Sequence, residues 1–107
     1  MKISENQILN QIKNIIIGIA PLAKIYLYGS RSRGTAKADS DWDILILLNN
    51  DTISADTEQE ITSPLYDLEF DIGEVISPMI YSEREWFDKY KFTPLFNNIM
   101  QDGVLLC

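Results

Sequence analysis

The sequence predicts an α/β or α+β domain with a small sheet. Three observations carry that reading. Apolar periodicity runs in the order helix, strand, loop, strand, helices, strand, helices, a mixture that builds a sheet covered by helices. The segment DWDILILL becomes continuously apolar, as a central strand buried on both faces would. The chain has 107 residues, room for one core and one domain over 1–107.

Each element has its own signal. Ser4 followed by Gln7 has capping-box spacing, and Ile8, Leu9, Ile12, Ile15, Ile16 and Ile19 then form one apolar stripe, so a helix is expected over Ser4–Ala20. Gly18 and Pro21 fit its end. Lys24–Tyr28 (KIYLY) is a short strand that stops at Gly29–Ser30. The polar run RSRGTAKADS leads into the strand Asp41–Leu48, punctuated by Asn49, Asn50 and Asp51.

Ser54 caps a helix through Glu60, and Ser63–Pro64 starts a second one over Pro64–Ile72, ended by Gly73. The alternation Leu68, Phe70, Ile72 also permits a strand there. Glu74–Tyr81 (EVISPMIY) is a strand that Pro78 places at a sheet edge or a bulge. Ser82 and Glu85 form a capping box ahead of Trp86 and Phe87, and Thr93–Pro94 opens a last helix to Met100. Asp102–Gly103 then turns the chain into an apolar tail, VLLC.

Composition excludes several functions. Hydrophobic residues make up 46% and charged residues 23%, ordinary values for a globular protein. No apolar run approaches the roughly 18–20 residues that cross a bilayer. The polar start MKISENQILNQI is neither a signal nor a transit peptide, so the expected location is the cytoplasm. One cysteine, Cys107, excludes an internal disulfide and argues against a thiolate zinc site. The absence of histidine excludes Ser-His-Asp and Cys-His enzymes, and leaves oxygen ligands that suit a hard ion such as magnesium, manganese or calcium.

Charge is unevenly spread. Residues 1–50 hold six basic and four acidic side chains, and residues 51–107 hold three basic and twelve acidic, giving the net −7. The acidic half repels free nucleic acid at long range. A small anion or a basic partner protein suits this balance better.

The segment YGSRSRGTAKADSDWD (Tyr28–Asp43) carries the chemistry. Asp41 and Asp43 are one side-chain period apart on a strand and project from one face. Adjacent anions repel, so they are tolerable when exposed or when a cation sits between them. Magnesium suits that spacing, because it takes one or two protein carboxylates and completes its shell with phosphate and water. A strand that ends at Gly29–Ser30 and enters a helical turn offers backbone N–H groups and a hydroxyl to a phosphate, and Arg31, Arg33 and Lys37 add positive charge. Separately, an Asp-x-Asp is usually a solvated strand end, and a Gly-Ser is usually a turn. Jointly, at this spacing, they arise by chance on the order of once in several hundred chains of this length.

At these residues the sequence resembles the minimal nucleotidyltransferases of the DNA polymerase β superfamily, whose signature is Gly-Ser, ten residues, Asp-x-Asp. Here Gly29–Ser30, then Arg31 to Ser40, then Asp41-Trp42-Asp43 match it, as does the texture of GSRSRGTAKADSDWDILIL. The resemblance implies a polymerase-β-like fold, a small mixed β-sheet flanked by helices. It implies that Gly29 and Ser30 contact the phosphates of a nucleoside triphosphate, ATP, with Arg31 and Arg33 beside them. It also implies that Asp41 and Asp43 hold magnesium.

The family places a third carboxylate on a later strand, and alignment puts Ser77 there. Serine is no base at neutral pH. Asp71 or Glu74 is left to substitute, although solvated surface charge is the commoner role for either. An extended strand over 68–77 would bring Glu69 and Asp71 to the face of Ser77.

Two functions compete. The first is an enzyme that transfers AMP from ATP to a hydroxyl on a partner protein; stand-alone members of the family are commonly paired with a small helical toxin of the HEPN class and act as antitoxins. The second is a catalytically weak or inactive nucleotide- or partner-binding antitoxin, with Trp86, Phe87, Phe92 and Phe96 as an exposed patch.

Overall fold

Ser4 caps the first helix. Its Oγ accepts from the Gln7 amide at 3.2 Å, and its own amide donates to Gln7 Oε1 at 2.9 Å, closing the expected capping box. The computed structural model describes residues 4–37 and 39–107. Among them the order is α1 (Glu5–Ile19), β1 (Lys24–Tyr28), α2 (Ser30–Arg33), β2 (Trp42–Leu48), α3 (Ala55–Ile72), β3 (Ile76–Ser82), α4 (Glu83–Lys89), α5 (Pro94–Asp102) and β4 (Val104–Leu105).

The four strands form one mixed sheet in the order β3-β2-β1-β4. β1 runs antiparallel to β2 and β4, and β3 runs parallel to β2. A parallel neighbour needs a crossover, and α3 supplies it. β2 is interior, and Ile44 through Leu48 are all buried, as its continuous apolar run requires. Pro78 sits on β3, an edge strand, where a missing N–H is tolerated.

Alternate strand residues divide the core into two layers. Ile25, Leu27, Trp42, Ile44, Ile46 and Leu48 pack against Ile8, Ile12 and Ile16 of α1 and Ile61, Leu65 and Leu68 of α3. Leu45 and Leu47 pack on the other face against Trp86 of α4 and Ile99 of α5, with Tyr26, Tyr28, Met79 and Tyr81 around them. The sheet is therefore sandwiched between two helical layers.

Several expectations are corrected. Residues 55–72 form one helix, not two, and no strand forms over 68–72. Pro64 removes one amide from α3, a cost of about 3 kcal/mol in a helix interior. Ile61, Leu65 and Leu68 nevertheless keep one stripe across the proline, each contributing about 1.5–3 kcal/mol on burial. Glu60, whose carbonyl loses its partner, is exposed, so water can satisfy it. Gly73, at φ 68°, ends the helix and donates to Glu69 O at 3.0 Å.

The apolar tail pairs as β4 with Tyr26 and Leu27 of β1, a strand too short for alternation to reveal. Trp86 is fully buried, stacks on Tyr81 at 5.5 Å and meets half-buried Phe96 in a tilted contact at 5.3 Å, so neither Trp86 nor Phe96 belongs to an exposed patch; Phe87 and Phe92 are exposed. No helix of the described residues is long and apolar enough to cross a membrane.

Candidate active site

The site lies at one end of the sheet, where β1 finishes and β2 begins. Tyr28 pairs with Asp43, and Asp43 pairs with Ser77 on the other side. Alternation puts Asp41 and Asp43 on one face and buries Trp42 on the opposite one. Ser77 Oγ donates to Asp41 Oδ2 at 3.4 Å. Ser77 thus occupies the position beside the aspartate pair that the sequence alignment assigned to it.

Gly29 meets this pair from β1. Its backbone, at φ 76° and ψ −156°, is open to glycine and essentially closed to other residues. A side-chain carbon built there would overlap Asp43 Oδ2 and come within 3.3 Å of Asp43 Cγ. Close approach of this carboxylate to the backbone is therefore a second reason for glycine. The chain then enters the helical turn α2, with the Ser32 and Arg33 amides donating to Gly29 O at 3.2 and 3.3 Å. The first amides of such a turn have no acceptor within it and can serve an anion.

Electrostatics at the pair are unfavourable without a cation. Burial pushes the Asp43 carboxyl above its ordinary pKa, the charge of Asp41 pushes it further, and Arg33 opposes both. Tyr28, half-buried beside Asp43, is pushed up to about 12 by burial, by the charge of Asp43 and by Tyr81. The phenol thus stays protonated at neutral pH and does not act as an anionic base there. Sequence reading missed Tyr28 as part of this environment. Its only signal was that Tyr26 and Tyr28 share one face of KIYLY.

Arg31 is committed elsewhere. Nε and Nη2 donate to Ser40 O at 3.1 and 2.8 Å, Nη2 also reaches Glu74 Oε1 at 3.0 Å, and Nη1 reaches Glu5 Oε1 at 3.2 Å. Its guanidinium carbon lies 3.9 Å from the centroid of the Trp42 ring. This side chain closes the loop after Ser30 onto the start of β2. Arg33 and Lys37 are exposed, and Arg33 is the cation whose field reaches Asp43.

Glu74 accepts from Arg31 and, at 3.4 Å, from Trp42 Nε1, so it belongs to this clamp. Asp71 is exposed in the last turn of α3. Because 68–72 is helical, Glu69 and Asp71 do not share a strand face with Ser77; Glu69 Oε2 instead accepts from the Ile76 amide at 2.8 Å. Among the described residues no group of three or more acids, cysteines or histidines is placed to hold a metal. The donor set Asp41 and Asp43 still fits magnesium, which needs no more than two protein carboxylates when phosphate supplies other ligands, and whose charge would relieve their repulsion.

Known structures share this fold. A toxin–antitoxin crystal structure with AMP-PNP is similar at TM-score 0.66 and 24% identity, over 92% of this chain and 72% of that one. A tyrosine-to-alanine mutant of the toxin–antitoxin MntA-HpeT gives TM-score 0.62 at 24% identity, over 92% of this chain and 70% of that one. A mutant of the same pair with two aspartates changed to glutamate gives TM-score 0.64 at 22% identity, over 92% and 72%. At such identities these structures establish the fold. No curated protein matches the chain. The family model for polymerase beta nucleotidyltransferases spans residues 10–107, helix α1 to the tail, and the chain therefore belongs to the polymerase beta nucleotidyltransferase family.

Proposed function

We propose that this protein transfers AMP from ATP to a hydroxyl of a partner protein and releases pyrophosphate. The observation that supports it best is the close approach of Asp43 to the Gly29 turn, with Asp41 beside it. In this reading Gly29, Ser30 and the opening amides of α2 receive the triphosphate, and Arg33 adds charge from the rim. Asp41 and Asp43 would hold magnesium, which would neutralise the triphosphate and stabilise the in-line transition state. The acceptor oxygen forms a bond to the α-phosphorus, and the bond from that phosphorus to the pyrophosphate oxygen breaks. Arg31 acts at a distance by holding Ser40 and Trp42, and hence the aspartates, in place.

The partner we propose is a small helical toxin of the HEPN class, with this chain as its antitoxin. The family resemblance supports it, as does the presence of toxin–antitoxin complexes among structures of the same fold. A second reading is favoured by Ser77. With serine beside Asp41, the attacking hydroxyl lacks the usual carboxylate to take its proton, and general-base help is worth about 10²–10⁴ in rate. The chain would then neutralise its partner chiefly by binding.

Labelled ATP, magnesium and a HEPN-class toxin as partner decide between them. Label on the toxin with stoichiometric pyrophosphate supports transfer. Tight complex formation with neither product supports the binding reading.

A further inference from the structure

Helix α3 carries a feature that the fold does not use. Its inward stripe is Ile61, Leu65 and Leu68. At about 100° per residue, Phe70 points nearly opposite that stripe, and Tyr66 lies one turn before it on the same outer face. Phe70 is 89% exposed and Tyr66 51%, whereas both tryptophans of the chain are buried. Val75, just beyond the Gly73 cap, is 50% exposed. Asp67 and Asp71, both exposed, run along one side of the aromatics. An outward aromatic pair gains nothing for the fold and risks association.

The position of this face matters. The Val75 carbonyl accepts from the Trp42 amide at 2.8 Å, and Trp42 lies between Asp41 and Asp43. The C-terminal end of α3 therefore adjoins that end of the sheet, on the face opposite the one from which the aspartate pair projects. The exposed aromatics at the α4–α5 end, Phe87 and Phe92, lie among charges of both signs, Asp88, Lys89 and Lys91, and Lys91 Nζ sits 5.1 Å from the centroid of the Phe92 ring.

We propose that the outer face of α3, centred on Phe70 and Tyr66, docks a helix of a basic partner protein, with apolar side chains against the aromatics and Lys or Arg against Asp67 and Asp71. Charge complementarity selects this occupant. An apolar stripe with cations along one side fits an aromatic pair with carboxylates along one side, within a half-chain of three basic and twelve acidic residues. The surface deepens the proposed function, since it rests on that reading for its purpose, which is to bring the acceptor hydroxyl to the site.

The test needs neither nucleotide nor magnesium. A fluorescent synthetic helical peptide, with a leucine stripe flanked by lysines, is titrated with the full chain and followed by anisotropy. Binding should saturate, and Tyr66→Ala with Phe70→Ala should weaken it about tenfold or more, as truncated aromatic anchors do. Asp67→Lys with Asp71→Lys should weaken it comparably, while Phe92→Ala and Asp102→Lys should not. Unchanged melting temperatures would show that these surface variants fold. The proposal is overturned by absence of saturable binding or by equal losses in Phe92→Ala. It is also overturned if the wild type sediments as a dimer that Phe70→Ala converts to monomer, since the occupant would then be a second copy. Asp41→Asn with Asp43→Asn should bind the peptide as the wild type does. Peptide docking without AMP transfer therefore overturns the enzymatic reading alone, and transfer without selective docking overturns this one alone.

Discussion

The guanidinium of Arg31 stacks on the ring of Trp42 while two of its nitrogens hold the carbonyl of Ser40. One buried cation thus ties the start of the loop after Gly29 to its end at Ser40. Arg31→Ala should lower stability by about 2–3 kcal/mol, since it removes a cation–π contact and leaves Ser40 O unpartnered. Arg31→Lys should rescue it only in part, because an ammonium cannot both stack and donate in a fork. Thermal melts with nucleotide titrations check this. A wild-type melting temperature in Arg31→Ala would refute the clamp.

Gly29→Val should abolish nucleotide binding, whereas Ser30→Ala should cost only the ~0.5–1.5 kcal/mol of one hydrogen bond, or more if phosphate charge assists it. The valine meets both a forbidden backbone conformation and the Asp43 carboxylate. Calorimetry that finds equal affinities in wild type and Gly29→Val would remove the phosphate from this turn.

The aspartate pair has a pH signature. The folded pKa of Asp43 is raised, so the native state binds more protons than the unfolded chain just above the ordinary carboxylate range. Ionised Asp43 therefore destabilises the fold at neutral pH, and this cost is relieved as pH falls through the raised pKa toward the ordinary one. Asp41→Asn with Asp43→Asn should abolish magnesium-dependent nucleotide binding and leave the melting temperature at neutral pH unchanged or raised. The gain should shrink on acidification. A neutral-pH loss of stability would contradict the repulsion.

Ser77→Asp should place a third carboxylate beside Asp41 and raise transfer to a hydroxyl by up to the ~10²–10⁴ typical of a general base. Without magnesium the same variant should melt lower, because three like charges then crowd one sheet end. Toward a small hydroxyl acceptor, which does not use the α3 face, Asp71→Asn should leave activity unchanged. Initial rates of pyrophosphate release distinguish these outcomes, and loss of activity in Asp71→Asn would return the third acid to α3.

Pro64→Ala should stabilise the protein by about 1–3 kcal/mol. It restores an amide to α3 and outweighs the roughly 0.4–1 kcal/mol of unfolded-chain entropy that proline removes. Denaturant unfolding checks the sign, and a destabilised variant would mean that Pro64 makes packing contacts worth more than the missing bond.

Local physics made much of this protein legible from sequence alone. The Ser4–Gln7 box, the α1 stripe, the continuous apolar run of β2, Pro78 on an edge strand, and the Gly-Ser and Asp-x-Asp spacing all depend on residues near one another in the chain. Side-chain period and capping chemistry act over a few residues, so the sequence sufficed. Tertiary structure decided the rest, because it turns on contacts between distant residues. Burial of Ile61, Leu65 and Leu68 in a shared core carried α3 through Pro64, where local preference would have broken it. Pairing with β1 made a strand of Val104–Leu105. Arg31, free to face a phosphate as far as spacing could tell, was claimed by Ser40, Trp42 and Glu74. Parallel register between β2 and β3 set Ser77 within 3.4 Å of Asp41, a distance that the family alignment, which pointed to Ser77, could not measure.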